Sequence, residues 1–244
     1  MTVRWNLSYE DKKMQLRPEI TILYEDASLL VCIKPAGIAS QGSKGFQTDL
    51  SDLLKLHIQK ETGVKGEPYL GIIHRLDQPV GGIMVYAKEP KSAAVLSAQA
   101  ASDAMKKRYY MVLEKRPPED TGILKDYLLR DGRTNTSCVV EGSCKAQNGA
   151  KLAELSFRIL KEAELEGKKL YLAEAELKTG RHHQIRVQFA HAGCPLYGDR
   201  KYNPDTKGRE LALFSHYLEF THPETKKKLQ FDRKPTEGSF RLFF

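Results

Sequence analysis

The chain contains no apolar run approaching the roughly 18 residues that a helix needs to cross a bilayer. Its opening residues, Met1-Thr2-Val3-Arg4-Trp5-Asn6, hold no apolar signal core. Neither a membrane partner nor secretion is expected, and the sequence reads as cytoplasmic. Cysteine is sparse: Cys32, Cys138, Cys144 and Cys194 are scattered through 244 residues. The spacing of Cys138 and Cys144 matches no common zinc pattern, so four free thiols in a reducing compartment are expected. No Gly-Lys-Ser/Thr phosphate loop and no dinucleotide fingerprint occurs, so no cofactor is expected. Linkers, repeats and low-complexity tracts are also lacking, which argues for one domain. Acidic residues are the minority, with 31 Asp and Glu against 39 Lys and Arg and a net charge of +8. Charge speaks to partners rather than to fold, and this balance suits nucleic acid, an anionic surface or plain solubility.

What is present is an ordinary apolar fraction of 41%, enough for a packed core and too much for a disordered chain. Residues 1–18 are polar and aperiodic and read as an arm. Ile20–Tyr24 and Leu29–Ile33 read as strands joined by Glu25-Asp26-Ala27-Ser28. Thr48 is placed to cap a helix whose apolar face is Leu50, Leu53, Leu54, His57 and Ile58. Pro90 suits the first turn of a second helix running to Ala104. Strands follow over Tyr109–Glu114, Ile123–Leu129, Cys138–Val140, Lys151–Leu160 and Leu170–Leu177, with Pro117-Pro118, Asp131-Gly132 and Glu166-Gly167 between them. Gln184–Ala190 alternates like a strand, but Thr179 before it and Gly193-Cys194-Pro195 after it predict a helix. Its buried stripe would be Ile185, Phe189 and Ala192, with His182 and Arg186 on another line. Strands over Leu211–Phe214, Tyr217–Phe220 and Leu229–Phe231 complete a mixed α+β domain.

One acidic side chain stands apart. Asp77 ends the run Gly71-Ile72-Ile73-His74-Arg75-Leu76-Asp77, just before Gly81-Gly82 and the apolar Ile83–Ala87. It falls in a tight connection between two expected strands. A carboxylate held there, partly dehydrated beside Arg75, is suited to act as nucleophile or base. Far down the chain, Thr179-Gly180-Arg181-His182-His183-Gln184-Ile185-Arg186 supplies the cations such a carboxylate needs.

These two segments resemble the HRLD and GRxHQIR signatures of the RluA-type pseudouridine synthases. Val31-Cys32-Ile33-Lys34-Pro35-Ala36-Gly37 is similar to that family's opening strand and turn, and Lys107-Arg108-Tyr109 to its KxY element. Gly193–Asp199 with Tyr202 is similar to its later loop. Five blocks in the expected order cover roughly residues 20–240. The family usually has Thr-Ser-Gly where this chain has Val80-Gly81-Gly82, so two hydroxyls that would brace the loop are missing, and Asn203 stands where glycine is common.

The resemblance implies an α+β fold with a mixed, largely antiparallel sheet, flanking helices and a central catalytic cleft. It implies a single catalytic domain over residues 19–244 with no separate N-terminal RNA-binding module, acting as a monomer on ribosomal or transfer RNA. Making pseudouridine breaks the ribose-to-N1 bond and remakes it to C5, on a nucleotide flipped out of its stack. The implied catalytic group is Asp77, whether it attacks ribose C1′, attacks base C6 or abstracts a ribose proton. Burial alone would favour its protonated form, and Arg186 is the guanidinium expected to reverse that. Tyr109 would stack on the uracil or move a proton. Arg75, His74, Arg181, His183, Lys107 and Ile185 are the residues expected to meet RNA. Arg75 either fills the gap left by the extruded base or bonds loop carbonyls. Asp199 reads as a loop anchor. His74, His182 and His183 do not suggest a metal, because adjacent helical histidines cannot face one ion.

Overall fold

The computed structural model describes residues 20–42, 48–140, 149–206 and 208–244; the expected arm and Cys144 lie outside them. Strands β1 (Thr21–Glu25) and β2 (Leu29–Lys34) are joined by a turn in which Asp26 Oδ1 accepts the N–H groups of Ser28 and Leu29 at 2.8 and 2.9 Å. Helix α1 spans Leu50–Thr62 and is capped by Asp49 rather than Thr48. The Asp49 carboxylate accepts from Asp52 N–H while the Asp52 carboxylate accepts from Asp49 N–H, a reciprocal box that a threonine one residue earlier cannot reach. Strands β3 (Gly71–Ile72) and β4 (Gly81–Ala87) flank the Asp77 loop, and α2 (Pro90–Ala101) follows.

An antiparallel run comes next: β5 (Lys106–Leu113), β6 (Thr121–Asp131), β7 (Thr136–Val139), β8 (Lys151–Leu165) and β9 (Lys168–Leu177). Glu166 and Gly167, at φ 52° and 76°, turn β8 into β9, the positive-φ pair that a tight hairpin favours. Helix α3 (Gln184–His191) precedes β10 (Leu213–Thr221) and β11 (Lys228–Asp232). One strand, β10, replaces the two expected there. A bulge between Ser215 and Tyr217 shifts its register against β5 without breaking it.

The strands form one sheet in the order β1-β2-β4-β10-β5-β9-β8-β6-β7, with β3 beside β4 and β11 beside β10. All pairings are antiparallel except β10 with β4, where Phe214 meets Gly81 and Ser215 meets Gly82. Gly82 is required at that contact: its φ is +132°, and a Cβ would overlap the Ser215 backbone.

Alternation along the strands separates two faces. Leu30, Met84, Tyr86 and Met111 join Leu54 of α1 and Phe189 of α3 on one side. Leu29, Val31, Ile83 and Val85 join Leu96 of α2 and Phe220 on the other. Helix α3 is buried from Gln184 to Phe189. Ala192, expected in its stripe, is exposed because the helix ends at His191. Thr179 does not cap it. His183 takes that place with left-handed angles, while Thr179 Oγ1 donates to Gln184 Oε1 at 2.8 Å.

Candidate active site

The Asp77 loop is pinned from the side by the turn after β2. Lys34, fully buried, donates through Nζ to the carbonyls of Pro35, Ile38 and Gln78 at 3.0, 2.6 and 3.1 Å. Burial pushes its ammonium down to about 8, opposed in part by Asp77. Ser40 Oγ donates to Leu76 O at 2.7 Å, and Val80 N–H closes the loop onto Asp77 O at 2.9 Å. A lysine ammonium, a serine hydroxyl and one backbone N–H thus brace the loop where Val80 and Gly81 offer no hydroxyl. The one sign of this role in the sequence is a lysine at the end of an otherwise apolar strand.

The two distant motifs meet. Arg186 Nη1 donates to Asp77 Oδ2 at 2.9 Å, although 109 residues separate them in the chain. Its Nε and Nη2 form a two-pronged contact with Asp199 at 2.8 and 2.7 Å. The Arg186 and Asp199 side chains are 4% and 0% exposed, whereas that of Asp77 is 28% exposed. Burial works against the guanidinium charge, but the bonds to Asp199 and the nearness of Asp77 hold its pKa above the ordinary value. Asp199 is therefore more than a loop anchor, because it fixes the fork that reaches Asp77.

A second donor approaches the same oxygen. His183 Nε2 lies 3.4 Å from Asp77 Oδ2, and its Nδ1 lies 2.7 Å from the Tyr202 hydroxyl. That hydroxyl accepts Ser137 N–H at 2.8 Å, so its own hydrogen is free for His183 Nδ1. The ring proton then sits on Nε2 and faces Asp77. Burial pushes His183 down to about 4, which makes it a neutral donor. Both donors converge on Oδ2. Asp77 Oδ1 has no partner among the described residues, and the side chain is 28% exposed.

Asp77 borders three adjoining hollows of about 530, 70 and 660 Å³. Every residue expected to act in catalysis or to meet RNA lines at least one of them. Tyr109 and Ile185 are buried beside Asp77, and burial pushes the Tyr109 phenol up to about 12 despite a bond with Ser215. The phenol is thus a proton donor at neutral pH. Arg75 is exposed at the rim and faces two of the hollows. Arg181 Nε bonds Leu152 O at 2.8 Å. Lys107 is buried, and burial lowers its pKa. Its neighbours Lys106 and Arg108 are paired with Asp103 and Glu176. His74 Nε2 accepts Val85 N–H at 3.2 Å, and burial pushes the ring down to about 3, so one of its nitrogens is already committed to holding β4. The rim also carries Arg130, Lys178, Arg200 and Lys201, spread over strands and loops that only the fold brings together. The basic residues Lys226–Lys228, Arg233 and Lys234 border none of the three hollows.

Residues 28–191 match the family model described as RNA pseudouridylate synthase. An RNA pseudouridine synthase of Bacillus subtilis, YhcT, itself described as uncharacterised, is 33% identical over 85% of this chain and 66% of its own length. Ribosomal large subunit pseudouridine synthase D of Zymomonas mobilis is 30% identical over 92% of this chain and 72% of its own. The solved structure of human RNA pseudouridylate synthase domain containing 4 shares the fold, with a TM-score of 0.71, 23% identity and 88% coverage of both chains. With a carboxylate and its guanidinium in one cleft and the family model matched through both motifs, the chain belongs to the RluA-type RNA pseudouridine synthases, the isomerases that convert uridine to pseudouridine in RNA.

Proposed function

We propose that this chain isomerises specific uridines of structured ribosomal or transfer RNA, as a cytoplasmic monomer, with Asp77 as the catalytic carboxylate. The observation that carries the reading is the asymmetry at Asp77. Arg186 donates to Oδ2 and His183 Nε2 lies 3.4 Å from the same oxygen, so Oδ1 has no hydrogen bond from the described residues in a side chain that lines the hollow proposed to receive a flipped nucleotide. Arg186 holds the carboxylate in place without sealing it, because Asp199 takes the other two guanidinium edges. Whether the first bond forms at C1′, at C6 or with a ribose proton, it starts from that oxygen.

Tyr109 provides a ring face for the uracil, and base–aromatic stacking contributes about 1–3 kcal/mol. Its protonated phenol can donate while the detached base turns. The smallest of the three hollows would seat the base beside Ile185 and Val80. Ribosomal RNA is favoured among substrates by the relatives named for the large ribosomal subunit. The exposed Arg75, Arg181, Arg200 and Lys201 at the rim supply the sequence-independent grip on phosphate that such a substrate requires.

The test is release of tritium from RNA labelled at uracil C5. The wild-type protein releases label from an unmodified large-subunit ribosomal RNA transcript or from transfer RNA. Asp77→Asn retains RNA binding and loses turnover by on the order of 10³-fold or more. Absence of release from every ribosomal and transfer RNA pool, with binding intact, would overturn the reading in favour of an RNA-binding factor that keeps the fold without the chemistry.

A further inference from the structure

Beyond the cleft lies a second hollow of about 210 Å³, bounded by Lys115, Lys168, Lys169, Arg209, Glu114 and Tyr197. It adjoins the cleft through Arg209, which lines both. The partition between them is hydrogen-bonded, close-packed backbone. Tyr197 N–H bonds Val112 O and Ala212 N–H bonds Tyr197 O, each at 2.9 Å. Gly198, at φ +76°, passes so close beneath Glu210 that a Cβ would overlap its carbonyl. The Arg209 guanidinium lies 4.9 Å over the Tyr197 ring and 3.6 Å from Glu114.

The positive charge here exceeds what the protein neutralises. Lys169 is paired with Glu162 at 2.6 Å. Lys115 and Lys168 are exposed and have no carboxylate partner among the described residues. Three strand ends converge to place them: the bend that follows β5 carries Lys115, and β9 begins at Lys168 after the turn from β8. Residues so far apart in sequence would not share a wall by local pattern alone.

We propose that this hollow is a phosphate-binding site for the RNA flanking the target uridine. The strand leaving the cleft crosses Arg209 and sets its backbone between Lys115 and Lys168. This rests on the reading of the cleft as an RNA site. The chemistry fits a polyanion: lysine heads on flexible stems act as mobile point charges, and an arginine stacked on an aromatic ring offers a flat cationic edge at the crossing. Such contacts add affinity and salt sensitivity and do not select sequence.

The double variant Lys115→Glu, Lys168→Glu leaves every cleft residue untouched. Filter binding of a large-subunit ribosomal RNA transcript across a salt series should show weaker binding, with the salt slope reduced by about 2. Tritium release should show a higher KM with kcat unchanged. A short uridine oligonucleotide that ends within the cleft should bind both proteins alike. Lys226→Glu, Lys227→Glu applies the same charge change at the β10–β11 turn and should leave the transcript's slope as it was. An unchanged slope in the hollow variant, or an equal fall in the control, overturns the proposal. If the wild-type protein releases no label, the activity reading fails, and the salt slope still decides whether the hollow binds RNA.

Discussion

On the cleft side of β5, beneath Tyr109, the buried fork of Arg186 is shared between Asp199 and Asp77. On the opposite side, Tyr110 stacks on the buried ring of His216 at 3.6 Å, and that ring sits 3.0 Å from Glu174 and 3.2 Å from Asp232. Glu174 also holds Arg158 at 2.8 Å. Burial raises the Glu174 pKa, but His216 and Arg158 more than offset this and it ends lowered. The two networks hang from consecutive residues and use similar side chains. They differ in what is left over. Around His216 both ring nitrogens lie near carboxylates, although Nε2 makes no hydrogen bond, and the outer cation, Arg158, is 57% exposed to solvent. In the cleft the cation is the buried member, and one oxygen of Asp77 is left without a partner among the described residues. Glu174, His216 and Asp232 border none of the three hollows, whereas Asp77 lines all of them, so only the cleft network is placed to react.

The sharpest way to break this comparison is to remove the cation from each side. Arg186→Leu strands Asp199 in the interior and should cost about 3–5 kcal/mol in urea unfolding, with tritium release abolished. Arg158→Leu should cost about 1 kcal/mol or less, because the charge it removes is solvent-screened and Glu174 keeps His216. Similar losses in both variants would show that the two networks are equivalent supports. A smaller effect separates the tyrosines. Tyr109→Phe should lower turnover by on the order of 10²-fold with stability little changed, and Tyr110→Phe should leave turnover unchanged. Equal effects on kcat would remove the phenol from the chemistry.

The smallest effect is a pH dependence confined to the cleft side. His183 is held near 4 in the folded protein, below its unfolded value of about 6.5. The unfolded chain binds the extra proton first, so stability falls as pH drops from about 6.5 toward 4. At pH 5 this amounts to on the order of 2 kcal/mol from His183. His183→Asn, which tolerates the left-handed backbone, should flatten that part of the urea-stability profile. An unaltered profile would mean that His183 is not the neutral, buried ring described here.

Much of the cleft could be read before any coordinates. Asp77 was marked by its place between an apolar run and paired glycines, and Arg186 and Tyr109 by their match to the family's motifs. Local errors had local causes. Asp49 outcompeted Thr48 because its carboxylate completes a reciprocal cap, and β10 survived as one strand because a bulge absorbed the irregularity at His216. The roles of Lys34 and Asp199 were harder to see. A buried lysine serving three carbonyls, and an aspartate gripping a guanidinium, look like ordinary surface charges until the chain folds around them.

Strand periodicity, turn chemistry and the order of the motif blocks were set by neighbouring residues and so were written in the sequence. Which oxygen of Asp77 stays free, which cations reach the rim and which meet behind Arg209 depended on strands paired out of chain order. Contacts of that kind join residues whose separation along the chain bears no relation to their distance in space.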